Sequence, residues 1–455
     1  MTLIAFIISL LVNLFPAPVK AEYHDDEFIC RGKDAGIVYL YDSSIPKEGY
    51  AMDITSDAAT VRYSDEGGLY YARRALSELT VHDAGGDMHI PCCSIYDYPR
   101  TSWRGFMLDS GRQYQSPETI MRLLDMMSSL KMNVFHWHLT EGLGWRLYVR
   151  RYPKLARIGA FVADGPGQKG YYSRRDIKRI VKYAAERNIT VVPEVDMPGH
   201  AEAALRACPE FGCFGVPADI PQTGFTDVIF CAGKDRTIRF LKDVLDEVCE
   251  LFPSQYIHLG GDEAPKGNWD RCPDCARRIS EKGLKDTGEL QQWFSAEMAG
   301  YLQAKGRKAI FWEDVLHGAD LPLPGNVAIQ WWNYRRHGDL ALQKALEKGY
   351  ELICSPNYYM YLNFPEEPGF GYGPSRTFSL EDAYLRNHVN EGLDSGSPLV
   401  LGGECALWTD YGLTEDMLGG RLFPRIYAIA QLLWSGNALP LSSLPSETAG
   451  LAAAQ

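Results

Sequence analysis

The sequence has no basic cluster and no arginine-rich stripe, and its formal charge is -12. Polyanions are repelled by such a chain, so nucleic acid is excluded as a partner. No segment after the N-terminus is apolar enough to cross a bilayer, and no internal repeat is visible. Low complexity is confined to the tail after Leu439, rich in Ser, Leu and Ala. The cysteines lack a completed metal pattern. Cys272-Pro-Asp-Cys275 has the spacing of half a zinc knuckle, but no second CxxC or HxxxH completes it. No metal and no cofactor is therefore expected.

What is present is an ordinary globular composition, 46% hydrophobic and 23% charged. At 455 residues there is room for one large domain and a smaller one. Residues 1–21 carry a short apolar run followed by Val19 and Ala21 ahead of a polar stretch, which reads as a signal peptide, although no Lys or Arg precedes Lys20. An uncleaved anchor is the alternative, and either implies an exported protein: secreted, periplasmic or otherwise extracytoplasmic. Eleven cysteines leave at least one unpaired or paired between chains, and Cys208/Cys213 and Cys272/Cys275 are spaced for local disulfides.

Residues 30–97 read as a small α+β domain. Val38–Tyr41, Ala51–Ile54 and Thr60–Tyr63 alternate as strands do, and Gly68–Leu79 carries Ala72, Ala75, Leu76 and Leu79 at helical spacing. From there to the end, residues 98–455, short apolar strands alternate with amphipathic helices. Eight strands are predicted, at 104–108, 132–138, 189–195, 256–260, 308–312, 327–331, 351–354 and 399–403, with helices such as Ser173–Arg187 and Thr237–Leu251 between them. This is the pattern of an α/β (β/α)8 TIM barrel with long loops.

Carboxylates fall at the ends of these strands: Asp109, Glu141, Glu194 and Asp196, Asp262 and Glu263, Glu313 and Asp314, and Glu404. In this fold the strand ends build one mouth. The segment His258-Leu-Gly-Gly-Asp-Glu263 is the most pointed of them, because side chains alternate along a strand and adjacent acids then meet different surroundings. One can stay protonated while the other is ionised. Taken alone, such a segment also fits a strand end with a solvated acidic turn. Trp312, Trp331, Trp332 and Trp408 fall at the same ends, and flat rings suit the faces of a pyranose. Trp293 and Trp331 are expected in the core. His136 and His138 share one side of a strand and are read as a buried hydrogen-bonded pair or, less readily, a metal pair.

Six ordered blocks then make a specific resemblance. They are Trp103–Arg112, Asn133–Thr140 with Gly144–Arg146, Val192–Ala201, His258–Ala264, Gly402–Trp408 and Leu433–Ser435. Between about residues 100 and 436 the chain resembles a β-N-acetylhexosaminidase of glycoside hydrolase family twenty, and residues 30–97 resemble, more weakly, the small domain that precedes the barrel there. The resemblance implies an exo-acting retaining hydrolase whose nucleophile is the substrate's own acetamido oxygen. It implies Glu263 as acid and base, and Asp262 as the group that orients the acetamido and stabilises the oxazolinium. Arg104 would hold ring hydroxyls. Trp312, Trp332 and Trp408 would wall the pocket, and Tyr361 would donate to the acetamido carbonyl. His200, flanked by Asp196 and facing Glu141, would tune the acid.

The chain departs from the family pattern at three places. Glu141-Gly142 stands where two aspartates are common, Asn363 where an Asp follows Tyr-Leu, and Asp410 where a Glu is usual. The acid pair is untouched, so these changes bear on recognition around O4 and O6. Partners are glycans ending in β-linked GlcNAc or GalNAc, and a homodimer formed through the active-site rim is open to barrels of this kind. The competing readings are a hydrolase releasing a disaccharide such as lacto-N-biose, and a carbohydrate-binding barrel without activity.

Overall fold

The computed structural model describes residues 14–30, 36–217, 226–317, 320–372, 376–436 and 439–445. The first layer is a twisted sheet of β1 (Lys20–Cys30), β2 (Ile37–Tyr41), β3 (Tyr50–Ile54), β4 (Ala59–Tyr63), β5 (Val81–His82) and β6 (Met88–Asp97). Its order is β1-β6-β3-β4-β2, with β5 against β6. The helix Glu66–Leu79 covers one face, capped by Asp65, whose side chain accepts from the Gly68 amide. Its Tyr71, Ala72, Ala75, Leu76 and Leu79 are buried against Met52, Ile54, Val61 and Ile95.

This sheet is larger than the sequence suggests. β1 begins at Lys20, ahead of the expected boundary at residue 30, and Leu14 is already buried in the same core. Most of β1 is polar and exposed, so no periodicity betrays it. β6 is masked by Pro91, which lies beyond the pairing with β3 and opposite Glu27, where β1 itself bulges. The expected leader thus falls in two parts: residues 1–13 lie outside the described residues, and residues from Leu14 onward pack into the fold.

The second unit is a closed barrel of eight parallel strands: β7 (Trp103–Asp109), β8 (Val134–His138), β11 (Thr190–Glu194), β12 (Tyr256–His258), β13 (Lys308–Trp312), β14 (Val327–Trp331), β15 (Glu351–Cys354) and β16 (Val400–Leu407). A short ribbon of β9 (Thr140–Glu141) and β10 (Gly144–Trp145) follows β8. The helices Arg174–Ala185 and Asp235–Leu251 match the two predicted ones within two residues.

Alternation explains how the barrel interior is layered. Trp103, Val134, Val192, Ile310, Ala328 and Ile353 form an apolar floor. Two residues further along their strands stand His136, Glu194, Trp312 and Gln330, a buried layer of hydrogen-bonding groups. His136 Nδ1 lies 2.7 Å from Glu404 Oε1 and its Nε2 lies 3.0 Å from Glu194. Trp312 donates to Glu194 (2.9 Å), and Gln330 to Glu404 (2.8 Å). His138 also bonds Glu194. Carboxylates therefore stand within 3.0 Å of both ring nitrogens of His136. The layer above opens to solvent as the candidate site.

Candidate active site

The acid pair sits where β12 ends, and two glycines make the turn that presents it. Gly260 has φ +65°, and a Cβ there would lie 1.8 Å from Asp196 Oδ1. Gly261 has φ +96°, and its amide donates to the same Asp196 oxygen at 3.1 Å. Any larger residue at 260 would displace Asp196, so only glycine lets β12 run this close to the loop after β11. Glu263 takes φ +45°, unusual for a residue with a Cβ, and is held by its amide donating to Asp314 Oδ1 at 3.1 Å. Asp262 and Glu263 thus protrude from an anchored turn into a cavity of about 530 Å³.

His200 stands beside the pair, also at positive φ, +46°. Its Nδ1 is 2.8 Å from Glu141, and its Nε2 is 3.5 Å from Asp262 and 4.0 Å from Glu263. Burial works against a charged ring, but Glu141 and Asp262 outweigh it and hold the His200 pKa well above the ordinary value. Burial likewise opposes ionisation of Glu141, yet Arg112 and His200 keep its carboxyl well below the usual range. The Glu263 pKa is raised by burial and by the negative Asp262. Asp314 is pushed up to about 7, again by burial first and Asp262 second. Asp196, behind the turn, is raised well above its ordinary value for the same two reasons.

The walls are aromatic. Trp312 and Trp408 lie 5.8 Å apart between ring centres, Tyr361 is 6.1 Å from Trp408, and Trp332 lies parallel to Tyr361 at 6.3 Å. Trp332 is fixed by its indole N–H donating to Asp314 at 2.7 Å. Burial holds the Tyr361 hydroxyl protonated far above its ordinary pKa. On the far side Asn363 donates to the Tyr372 hydroxyl at 2.8 Å, and Tyr372 donates to Asp410. The two departures at 363 and 410 are thereby joined through one tyrosine.

Of the residues singled out from sequence, Asp262, Glu263, Trp312, Trp332, Tyr361, Asn363, Trp408 and Asp410 line this cavity. His200, Glu141 and Asp196 are buried around its floor. Trp331 is fully buried outside it. Arg104 is not in the site, and the expectation that it holds the sugar is corrected. Trp103 and Gly105 face the barrel interior at the start of β7, so alternation turns Arg104 outward at the opposite end. There it pairs with Glu48 (3.0 and 3.2 Å), donates to Tyr71 and to the Lys131 carbonyl, and lies 5.0 Å from the Trp434 ring. It joins the barrel to the small sheet.

Arg112, three residues past the end of β7, lines the cavity instead, as do Arg335, Arg336 and Arg376. It bonds Asp109 (2.9 Å), approaches Glu141 (3.3 Å) and covers the Trp408 ring at 5.2 Å. It lies inside the quoted block Trp103–Arg112, and its place after the strand end was the available signal. Asp314, named from sequence as a strand-end carboxylate, gains a role as anchor of the turn. Tyr372 was missed, being in a loop without pattern.

A second correction concerns sulfur. Cys208 and Cys213 are not joined by a disulfide, nor are Cys272 and Cys275. Instead Cys213, Cys231, Cys272 and Cys275 bring their sulfurs within 4.8 Å of one another, outside the cavity. The half knuckle is completed by two cysteines far apart in sequence, which no short-range pattern discloses.

A parallel (β/α)8 barrel with an acid pair at its fourth strand end, inside a cavity walled by indoles, is the build of a barrel glycoside hydrolase. Residues 101–437 match the model of the glycosyl hydrolase family 20 catalytic domain, and residues 31–98 that of glycosyl hydrolase family 20, domain 2. The chain belongs to glycosyl hydrolase family 20. It is similar to a crystal structure of a β-N-acetylhexosaminidase from Bacteroides fragilis, with 50% identity and a TM-score of 0.87 over 93% of this chain and 91% of that one. It is 34% identical over 416 residues to a β-hexosaminidase of Porphyromonas gingivalis, covering 87% of this chain and 52% of the relative. A β-hexosaminidase of Akkermansia muciniphila is 32% identical over 408 residues, covering 87% of this chain and 82% of the relative. The chain thus spans about half of one of these relatives and most of the other.

Proposed function

We propose that the chain is an exo-acting β-N-acetylhexosaminidase that cleaves with retention through the substrate's acetamido group. The observation that carries this reading is the anchored Asp262–Glu263 turn beside His200, within walls formed by Trp312, Trp332, Trp408 and Tyr361. Glu263, whose raised pKa favours the protonated form, gives its proton to the leaving glycosidic oxygen. The acetamido carbonyl oxygen attacks the anomeric carbon as that bond breaks, forming an oxazolinium ion and the free leaving alcohol. Asp262 accepts the acetamido N–H and balances the positive ring, and the Tyr361 hydroxyl donates to the carbonyl oxygen. Water then attacks the anomeric carbon from the leaving-group side as that carbon's bond to the acetamido oxygen breaks and the acetamide is restored, Glu263 takes the water proton, and the configuration is kept.

Arg112, Asn363 and Asp410, which line the cavity, are the groups this reading assigns to O4 and O6 of a terminal sugar. Substrates on this reading are glycans ending in β-linked GlcNAc or GalNAc. Among the described residues no helix is long and apolar enough to cross a membrane.

The test compares initial rates on p-nitrophenyl β-GlcNAc, β-GalNAc and β-glucoside for the wild type, Glu263→Gln and Asp262→Asn. Release from the two acetamido sugars alone, lost in both variants and yielding the β-anomer first by NMR, is the expected outcome. Cleavage of the glucoside at a comparable rate, or no cleavage of any of the three by folded protein, overturns it.

A further inference from the structure

Outside the cavity, the four clustered cysteines lie on the two loops that follow β11 and β12. Cys213 follows the turn Pro209–Phe211, Cys231 follows the Gly212–Phe230 bridge, and Cys272 and Cys275 flank the start of the helix Pro273–Lys282. The sulfur separations are 3.8 Å for Cys213–Cys275, 3.7 Å for Cys231–Cys272 and 3.7 Å for Cys231–Cys275. At a zinc–sulfur distance of about 2.3 Å, a regular tetrahedron sets its sulfurs about 3.8 Å apart. A disulfide needs about 2.05 Å. Three of the six separations thus have the spacing of a tetrathiolate site and all six lie within 4.8 Å, and we propose that Cys213, Cys231, Cys272 and Cys275 bind a structural zinc ion.

The surroundings are built for it. Gly233 sits against the backbone of Asp274 and Cys275, where a Cβ would lie 2.1 to 2.3 Å from their atoms, so only glycine lets the two loops close on the cluster. Four thiolates around one dication carry a net charge of about -2, and cations stand beside them. Arg277 and Arg278 donate to the Gly233 carbonyl at 3.0 and 3.2 Å, and Lys234 donates to that of Gly212 at 2.6 Å.

The site ties the two loops that hold the acid pair and its histidine. Next to Cys231, the Phe230 amide donates to the Pro198 carbonyl, two residues from His200, and the Phe230 carbonyl accepts from the Trp269 indole, six residues from Glu263. The ion is therefore a clamp for this side of the barrel mouth.

The experiment is elemental analysis of the full chain, purified without chelator and with any affinity tag removed. About one zinc ion per chain is expected, retained on dialysis, lost in Cys272→Ser/Cys275→Ser and kept in Cys249→Ser. Should the double variant fail to fold, a mercurial reagent titrated into the wild type releases zinc to a colorimetric indicator as about four thiols react. Folded wild type without zinc, zinc equally retained by the double variant, or disulfides joining these four cysteines in non-reducing peptide mapping overturns the proposal. None of these readouts depends on the substrate.

Discussion

The Nε2 of His200 lies 3.5 Å from the carboxylate of Asp262, and its other nitrogen is held 2.8 Å from Glu141. The ring is thus a charged bridge between a buried anion and the group assigned to the acetamido. His200→Asn removes the bridge and leaves Glu141 facing Arg112, His138 and the Gly142 amide. Loss of a hydrogen bond to a charged group, about 1.5–3 kcal/mol, corresponds to a fall of roughly 10 to 10²-fold in kcat with a smaller change in KM. Steady-state kinetics on p-nitrophenyl β-GlcNAc check it; an unchanged kcat would remove His200 from the chemistry.

The alkaline limb of activity is set by Glu263. Its folded pKa is raised, so the protonated acid survives above the ordinary Glu value, and activity falls as pH rises through the raised pKa. The charge on Asp262 is part of that rise. Asp262→Asn, beyond its loss of rate, should move the alkaline limb of residual kcat/KM to lower pH. Movement to higher pH would contradict the coupling.

His200 also contributes to stability with a defined sign. Its folded pKa is raised, so the contribution is fully present below the unfolded value of about 6.5 and is lost as pH rises through the folded pKa. The wild type should lose more stability than His200→Asn between neutral and alkaline pH, measured as urea midpoints. Parallel midpoints across that range would refute the sign.

Arg104 and Arg112 separate stability from binding. Arg104→Ala leaves Glu48 without its guanidinium partner at the junction of sheet and barrel, at a cost of about 3–5 kcal/mol, with KM unchanged in protein that remains folded. Arg112→Lys keeps the charge but not the planar fork that meets Asp109 and Glu141. It should raise KM and lower kcat with little change in melting temperature. The reverse assignment of effects would restore Arg104 to the site.

Asn363 and Asp410 act as one unit through Tyr372. Asp410→Glu adds a methylene to a buried hydrogen-bonded chain and should change the ratio of kcat/KM for β-GlcNAc over β-GalNAc substrates more than it changes their sum. Asn363→Asp places a second carboxyl on Tyr372 and should move the ratio too. Unchanged ratios in both variants would place sugar discrimination elsewhere in the cavity.

Much was legible in the sequence because it is local. The eight barrel strands emerge as short apolar runs, and each predicted strand overlaps an observed one. Asp262 and Glu263 are read directly, because the turn that presents them is written in four consecutive residues, Gly260 to Glu263. β1 and β6 were not legible, since one is mostly exposed and polar and the other contains Pro91, tolerated only because its partner strand bulges there. Arg104 was misplaced because a block motif states which residues occur, while the direction of a side chain depends on which face of β7 meets the barrel interior.

By itself, then, the sequence determined the barrel, its family and the acid pair, all properties of periodicity and of neighbours along the chain. Only the tertiary structure decided that Arg112 rather than Arg104 faces the cavity and that Tyr372 joins Asn363 to Asp410. It alone gathered Cys213 and Cys231 onto Cys272 and Cys275. These are meetings of residues from different loops, fixed by the closure of eight strands into a ring, and closure is a property of the whole sheet that no segment of it carries.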